Sequence, residues 1–299
     1  MTVKIAHFSD VHLTTPKLGW RRRDWLSKKV TGWLNVKLLG RGRRFRHAPT
    51  VVAALVPDLK SRGYDAMVFS GDATKLAFES EMRIAGERLG VNDPTMPRAI
   101  AVPGNHDYYV RHDFLAGRFE KTFAPWLQGQ RIDEEIFPYA VPVGHCWLIA
   151  MNSARANFWT FDASGRIGRE QLERFRRLCA SLPPGPRIVV THYPLRKANG
   201  RLEARTRRLR DHRMALAAAA ESGVSLWLHG HIHRGFVLET GPIIPFPIIC
   251  SGSTTQTDRW SYNEYEITDW TLAMTKRTFD LKSGRFADVS KRTVALRQP

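Results

Sequence analysis

Cysteine is nearly absent from the chain: Cys146, Cys179 and Cys250 are the only ones in 299 residues. An odd number at wide spacing excludes a disulfide framework and fits a reduced compartment. No stretch approaches the roughly 20 apolar residues that a membrane-spanning helix needs. The opening MTVKIAHFSD lacks the charged, apolar and small-residue regions of a secretory leader, so a cytoplasmic protein is expected. There is no internal repeat and no composition break that marks a domain boundary. Acidic residues are scarce, 28 against 46 Lys and Arg, a net +18. The excess is localised. Residues 17–47 hold eleven basic residues against Asp24 alone, and residues 196–213 hold eight against Glu203 and Asp211.

What is present reads as α/β. KIAHFS, AMVFSG, AIAVPG, HCWLIAMNS, RIVVTH and SLWLHG are short apolar runs closed by turn signals, as buried strands are. Helical patterns lie between them near 48–62, 77–90, 168–181 and 205–222, with Pro57 placed to kink or end the first. The pattern predicts strands stacked in two sheets with helices outside. One domain is expected over 1–282, carrying a basic amphipathic insertion at about 17–47, with 283–299 as a loosely held tail.

Five strands end in metal-competent residues, at the carboxyl ends where α/β folds build their sites. The first closes with Asp10 and His12, two apart and expected to point the same way from extended chain. The second gives Asp72, the third Asn105, His106 and Asp107, a later one His192, and the last His231 and His233. Each fragment alone reads as a turn or a structural histidine; five together, in oxygen and imidazole donors, read as a metal site.

In their order, Asp10-Val-His12, Gly71-Asp72, Gly104-Asn-His-Asp107, His192 and Gly230-His-Ile-His233 resemble the motifs of the calcineurin-like metallophosphoesterases, over about residues 3–255. NSAR at 152–155 and the following GRIGREQLERF resemble that superfamily's bacterial phosphodiesterase branch. The chain departs from the pattern at THYP, where Tyr193 stands in place of a second histidine, and in the long basic insertion after His12. The resemblance implies a four-layer αββα sandwich of two mixed sheets with a dinuclear centre at the strand ends. By position, Asp10, His12, Asp72 and His233 would hold one metal, and Asp72, Asn105, His192 and His231 the other. Mixed imidazole and oxygen donors suit Mn, Fe or Zn, with Mn favoured. Two such metals activate a shared water and clamp the oxygens of an in-line displacement. His106, not needed as a ligand, would face the phosphate as a cation or an acid, with Asp107 orienting it or serving structure. Asn152, Arg155 and Tyr193 are candidate substrate contacts.

Both basic clusters follow a ligand-bearing strand, so both should flank the metals and steer an anionic phosphoester inward. In the first, Leu26, Val30, Trp33, Leu34 and Leu38 fall at helical spacing, with Lys28, Lys29 and Lys37 off that line and Trp25 near its edge. This is the mixture of an interfacial helix on an anionic membrane. The preferred reading is a phosphodiester or pyrophosphate hydrolase acting on a lipid-linked substrate, of the kind UDP-2,3-diacylglucosamine represents, peripheral on the inner membrane. A soluble phosphodiesterase acting on cyclic nucleotides or glycerophosphodiesters is the alternative, the segment then being a cap or a homodimer contact. Nucleic acid is disfavoured because aliphatic residues outnumber stacking ones in the segment.

Overall fold

A computed structural model describes residues 2–38 and 40–298. Twelve strands form: β1 (Val3–Phe8), β2 (Ala66–Phe69), β3 (Ala99–Ala101), β4 (Tyr139–Val143), β5 (Cys146–Ala150) and β6 (Arg187–Val190). Then come β7 (Val224–His229), β8 (Phe236–Leu238), β9 (Ile248–Cys250), β10 (Ser261–Thr268), β11 (Thr271–Asp280) and β12 (Arg285–Ala295). One sheet runs β12-β11-β10-β1-β2-β3, the other β4-β5-β6-β7-β9-β8. Within them β1, β2 and β3 are parallel, as are β5, β6, β7 and β9, while the flanking strands pair antiparallel. All six apolar runs of the sequence are strands of these parallel blocks. Residues of β2, β5 and β7 are buried on both faces, which is why they read as continuous apolar runs instead of alternating ones.

Helices Ala48–Ser61, Glu79–Arg88, Arg169–Ser181 and His212–Glu221 flank the two mixed sheets. Pro57 does not end the first helix. The hydrogen bond it removes belongs to the carbonyl of Ala53, on an exposed position of the helix where water can take the donor's place. The last helix starts at His212, later than its pattern suggested. Residues just before it bond to another loop instead, with Ala163 and Gly165 N–H donating to the Thr206 and Arg208 carbonyls at 2.8 and 3.1 Å.

The expected loose tail is instead the edge strand β12, paired with β11 from Asp280↔Arg285 to Thr271↔Ala295. Its sequence hides this because most of the strand faces solvent; only Phe286 and Val294 are buried within it.

The carboxyl ends of β1, β2 and β3 in one sheet and of β6 and β7 in the other meet along one border of the sandwich. Every candidate ligand lies in a loop that leaves one of these five strands.

Candidate metal centre and its basic cap

The loop after β1 runs beside the loop after β2. Asp10, His12 and Leu13 N–H donate to the Gly71, Asp72 and Ala73 carbonyls at 2.9, 3.0 and 2.8 Å. This continuation of the ladder sets Asp10 and His12 against Asp72. The backbone there is not extended, as alternation had suggested. Asp10, His12, Asp72, His231 and His233 all hold positive φ, between 42° and 67°, a region non-glycine residues seldom occupy. Glycines let the loops close on one another. A Cβ on Gly104 would overlap the Asp72 carboxylate, and one on Gly230 would overlap Ser9 and crowd Asp10.

Donor atoms of Asp10, His12, Asp72 and His233 lie within 4.8 Å of one another, a group able to hold a metal ion. Hydrogen bonds on the far side of each ring set the tautomers. His12 Nδ1 donates to the Thr74 carbonyl (3.1 Å) and His233 Nδ1 to Gln256 Oε1 (2.6 Å). Their Nε2 atoms therefore face each other at 3.1 Å. Asp10 Oδ1 is buried 3.0 Å from His233 Nε2, yet has no hydrogen-bond partner among the described residues. Opposed lone pairs beside an orphaned carboxylate oxygen suit a cation.

The remaining expected ligands adjoin this group. Asp72 Oδ2 lies 3.6 Å from His12 Nε2 and 3.4 Å from His192 Nε2, between the two sets. His192 Nδ1 donates to the Ser70 carbonyl (2.8 Å). His231 is turned the other way: Nε2 donates to the Arg207 carbonyl (3.0 Å), so Nδ1 points at Asn105 Oδ1 (3.0 Å) and His192 Nε2 (3.3 Å). Burial alone would raise the Asp72 pKa; the His192 and His106 imidazoles outweigh it and hold the carboxyl well below its usual range. Burial likewise opposes charge on His192, but Asp72 brings its pKa up to about 9.

His106 lines the cavity, its Nδ1 donating to the Lys75 carbonyl at 2.6 Å. Asp107 departs from the catalytic role considered for it. It is buried, and its oxygens accept the N–H groups of Asp72, Ala73, Thr74 and Gly104 at 2.9 to 3.2 Å. Burial and the Asp72 charge push its pKa up to about 7 against those donors. It pins the loops that carry Asp72 and His106.

The cavity above these groups has a volume of about 520 Å³. Asp72, Asn105, His106, His231 and His233 form its floor, and Lys28, Arg44, Arg155, Arg207 and Arg259 supply cations to its wall. Of the three candidate substrate contacts only Arg155 lines it. Tyr193 is fully buried, its ring 4.3 Å from that of His231 and its hydroxyl donating to the Ala163 carbonyl (2.6 Å). Asn152 Oδ1 accepts Ala154 N–H (2.9 Å). Both therefore shape the loops around the ligands. Arg44, Phe45, Tyr109, Gln256 and Arg259 were not singled out in the sequence, though Arg44 and Phe45 sat inside the flagged insertion.

The insertion is this cavity's cap. It folds as two short helices, Arg22–Trp25 and Lys29–Lys37, followed by a 3-10 turn, Arg41–Phe45, and not as one amphipathic rod. Lys29, expected at a membrane, is instead buried: its Nζ lies 2.9 Å from Asp113, 3.4 Å from Asp24 and 4.2 Å from the centre of the Phe78 ring. The carboxylates below it drew the lysine inward. Lys28 faces the cavity, and Phe45 packs on His12 with ring centres 4.5 Å apart. Val30 and Trp33 are half-buried, Leu34, Lys37 and Leu38 exposed, so the apolar line is split. Trp25 and Leu26 remain 58% and 94% exposed. Among the described residues no helix is long and apolar enough to cross a membrane.

The family model for calcineurin-like phosphoesterases matches residues 3–235. No curated protein matches the sequence at a significant level. Among solved structures, a dimetal phosphatase from zebrafish (Danio rerio) superposes with a TM-score of 0.67 at 13% identity, covering 98% of each chain. The purple acid phosphatase of yellow lupin (Lupinus luteus) seeds gives 0.62 at 13% identity, covering 99% of this chain and 54% of its own. PhoD gives 0.62 at 9% identity, covering 99% and 71%. The shared fold, the match over most of the length and the donor groups gathered at the strand ends agree: the chain belongs to the calcineurin-like phosphoesterase family and is a metal-dependent phosphoester hydrolase.

Proposed function

We propose that the enzyme hydrolyses a phosphodiester or pyrophosphate bond in an anionic, lipid-linked substrate presented at a membrane surface. The observation that carries this reading is the mouth of the cavity. The insertion gives its wall Lys28 and Arg44 beside Arg155, Arg207 and Arg259, and exposed apolar side chains lie in two of the segments that build this wall. Trp25 and Leu26 come from the insertion; Phe158, Trp159 and Phe161, 85%, 60% and 67% exposed, come from the loop that lines the cavity through Phe161. Aromatic and leucine side chains beside Lys and Arg are the make-up of an interfacial surface.

In this reading Asp10, His12, Asp72 and His233 hold one metal, and Asp72, Asn105, His192 and His231 the other, manganese being the favoured ion. When bound, such a pair supplies Lewis acidity and activation of water at neutral pH. The chain's own residues do the rest. The wall cations bind and orient the phosphate. His106, its Nδ1 proton committed to the Lys75 carbonyl, brings Nε2 to the leaving oxygen, steadying its charge or protonating it.

The test is turnover of UDP-2,3-diacylglucosamine in mixed micelles beside cyclic AMP by the manganese-loaded enzyme. Preference for the lipid supports membrane presentation; preference for the soluble diester makes the insertion a specificity cap of a soluble phosphodiesterase. Binding to vesicles of phosphatidylcholine and phosphatidylglycerol should fall sharply in W25S/L26S. Unchanged vesicle binding in that variant removes the interfacial reading.

A further inference from the structure

The second basic segment encloses a site of its own. Where residues 204–210 lie along 163–165, a second cavity of about 580 Å³ opens, lined by Arg155, Arg166, Arg208, Arg210 and Arg213. Arg155 also lines the metal cavity, so the two adjoin at that side chain. The one carboxylate in the lining, Asp211, is already used: its oxygens accept Ile167 and Gly168 N–H at 3.1 and 2.7 Å. Arg210 pairs with Asp162 at 2.6 Å, and no ion pair engages Arg155, Arg166, Arg208 or Arg213 among the described residues.

Two nitrogens in this basin are buried without a hydrogen-bond partner among the described residues, Arg208 Nε and His212 Nε2. His212 is 6% exposed, and its Nδ1 donates to the Leu209 carbonyl at 3.1 Å, so Nε2 is the nitrogen left over. Burial pushes the His212 pKa down, and against the Leu209 hydrogen bond the fields of Arg196, Arg208 and Arg213 push it further. Unpaired like charges and the unsatisfied Arg208 Nε–H in one groove are each unfavourable, and a single anion relieves both. The His212 Nε2 lone pair, left over once Nδ1 donates, accepts from a hydroxyl, which a monoprotonated phosphate carries. Guanidinium forks match the oxygens of a phosphate better than a lone carboxylate fills a basin of this size.

We propose that this arginine basin binds a phosphate group: a second phosphate of a substrate whose scissile bond lies over the metal floor, or a free phosphate. The inference rests on the reading above only for where the rest of the substrate lies. Its first test needs neither turnover nor membrane. Calorimetric titration of the manganese-loaded protein with inorganic phosphate should show two sites per chain, one site in R208Q/R213Q and one in D72N. A single wild-type site, or two retained in R208Q/R213Q, overturns it. Should that double variant misfold, R166Q changes an exposed side chain and should weaken the second site several-fold; no weakening overturns the proposal equally.

Two soluble esters then identify the source, thymidine 5′-(p-nitrophenyl phosphate) with and without a 3′-phosphate. A KM about tenfold lower for the bisphosphate, lost in R208Q/R213Q, assigns the substrate's own phosphate. Equal KM values with the second calorimetric site present assign free phosphate. Loss of vesicle binding by the wall variants is a separate result and bears on neither.

Discussion

The floor and the wall of the active cavity are built on opposite terms. Asp10, His12, Asp72, His192 and His231 are at most 5% exposed, and four of them, with His233, hold left-handed backbone. Such residues cost on the order of 1–3 kcal/mol each and persist only where the surroundings over-determine them. Here the ladder from the β1 loop to the β2 loop, and Asp107 with its four N–H donors, do so. The wall has no such reinforcement. The insertion's share of it is two short helices and a turn held by buried Lys29 with Asp24 and Asp113, by Phe45 tilted against His12 and by Thr257 N–H donating to the Arg44 carbonyl, and most of its other side chains face solvent or the cavity. A floor fixed before the substrate arrives determines the reaction; a wall free to vary determines what reaches it.

If the floor sets chemistry alone, its variants should lose turnover for every substrate alike. Asp72→Ala removes the oxygen between both donor sets and should cost more than about a thousandfold in kcat/KM, roughly 4 kcal/mol. Metal content by mass spectrometry should fall with it while circular dichroism stays native; full activity without bound metal would break the assignment. Gly104→Ala drives a Cβ into the Asp72 carboxylate. A displacement on the scale of 1 Å there should cost about a hundredfold on small and lipid esters equally. Gln256→Ala frees His233 Nδ1 and should weaken metal affinity about 10- to 100-fold, readable by chelator competition.

The same contrast explains what the sequence disclosed. The floor was legible because its chemistry sits in short motifs at the ends of strands whose apolar runs are continuous. All nine motif residues from Asp10 to His233 lie in loops along one border, though Asp107 proved to pin loops. Left-handed backbone at Asp10 or His12 leaves no mark on residue type, so the extended geometry expected for that pair was wrong, while its donors still converge with those of Asp72 and His233. Most of the wall was not legible, because helical spacing from Leu26 to Leu38 cannot reveal that Asp24 and Asp113 lie underneath and draw Lys29 in. Edge strand β12 escaped for a related reason: a strand with few buried positions carries little periodicity.

Changes to the wall should spare the chemistry. Lys29→Met strands two buried carboxylates, leaving Asp113 to Arg118 and Asp24 to His112. Breaking a buried pair in this way costs about 3–5 kcal/mol, expected as a lower melting temperature. KM for an anionic lipid should rise while kcat on a small activated diester holds. An equal fall in kcat for both would show that the cap supports the floor, and the distinction drawn between them would fail.

Lys28 gives the smallest effect and the sharpest sign. Burial in the cavity wall brings its pKa from the ordinary 10.5 down to about 8, against the attraction of Asp162 and Asp113. Below that pH the ammonium is charged and draws the phosphate in; as pH rises through about 8 the charge is lost. KM for a phosphodiester should therefore climb a few-fold between about pH 7 and 9 with little change in kcat. Lys28→Arg, charged throughout this range, should hold KM flat. Folding moves the other way: between about 8 and 10.5 the unfolded chain binds this proton and the folded one does not, so stability rises slightly with pH. A KM rise accompanied by lost stability would place the titrating group elsewhere, whereas a rise that Lys28→Arg abolishes makes this single wall cation a contributor to affinity that leaves the chemistry of the floor untouched.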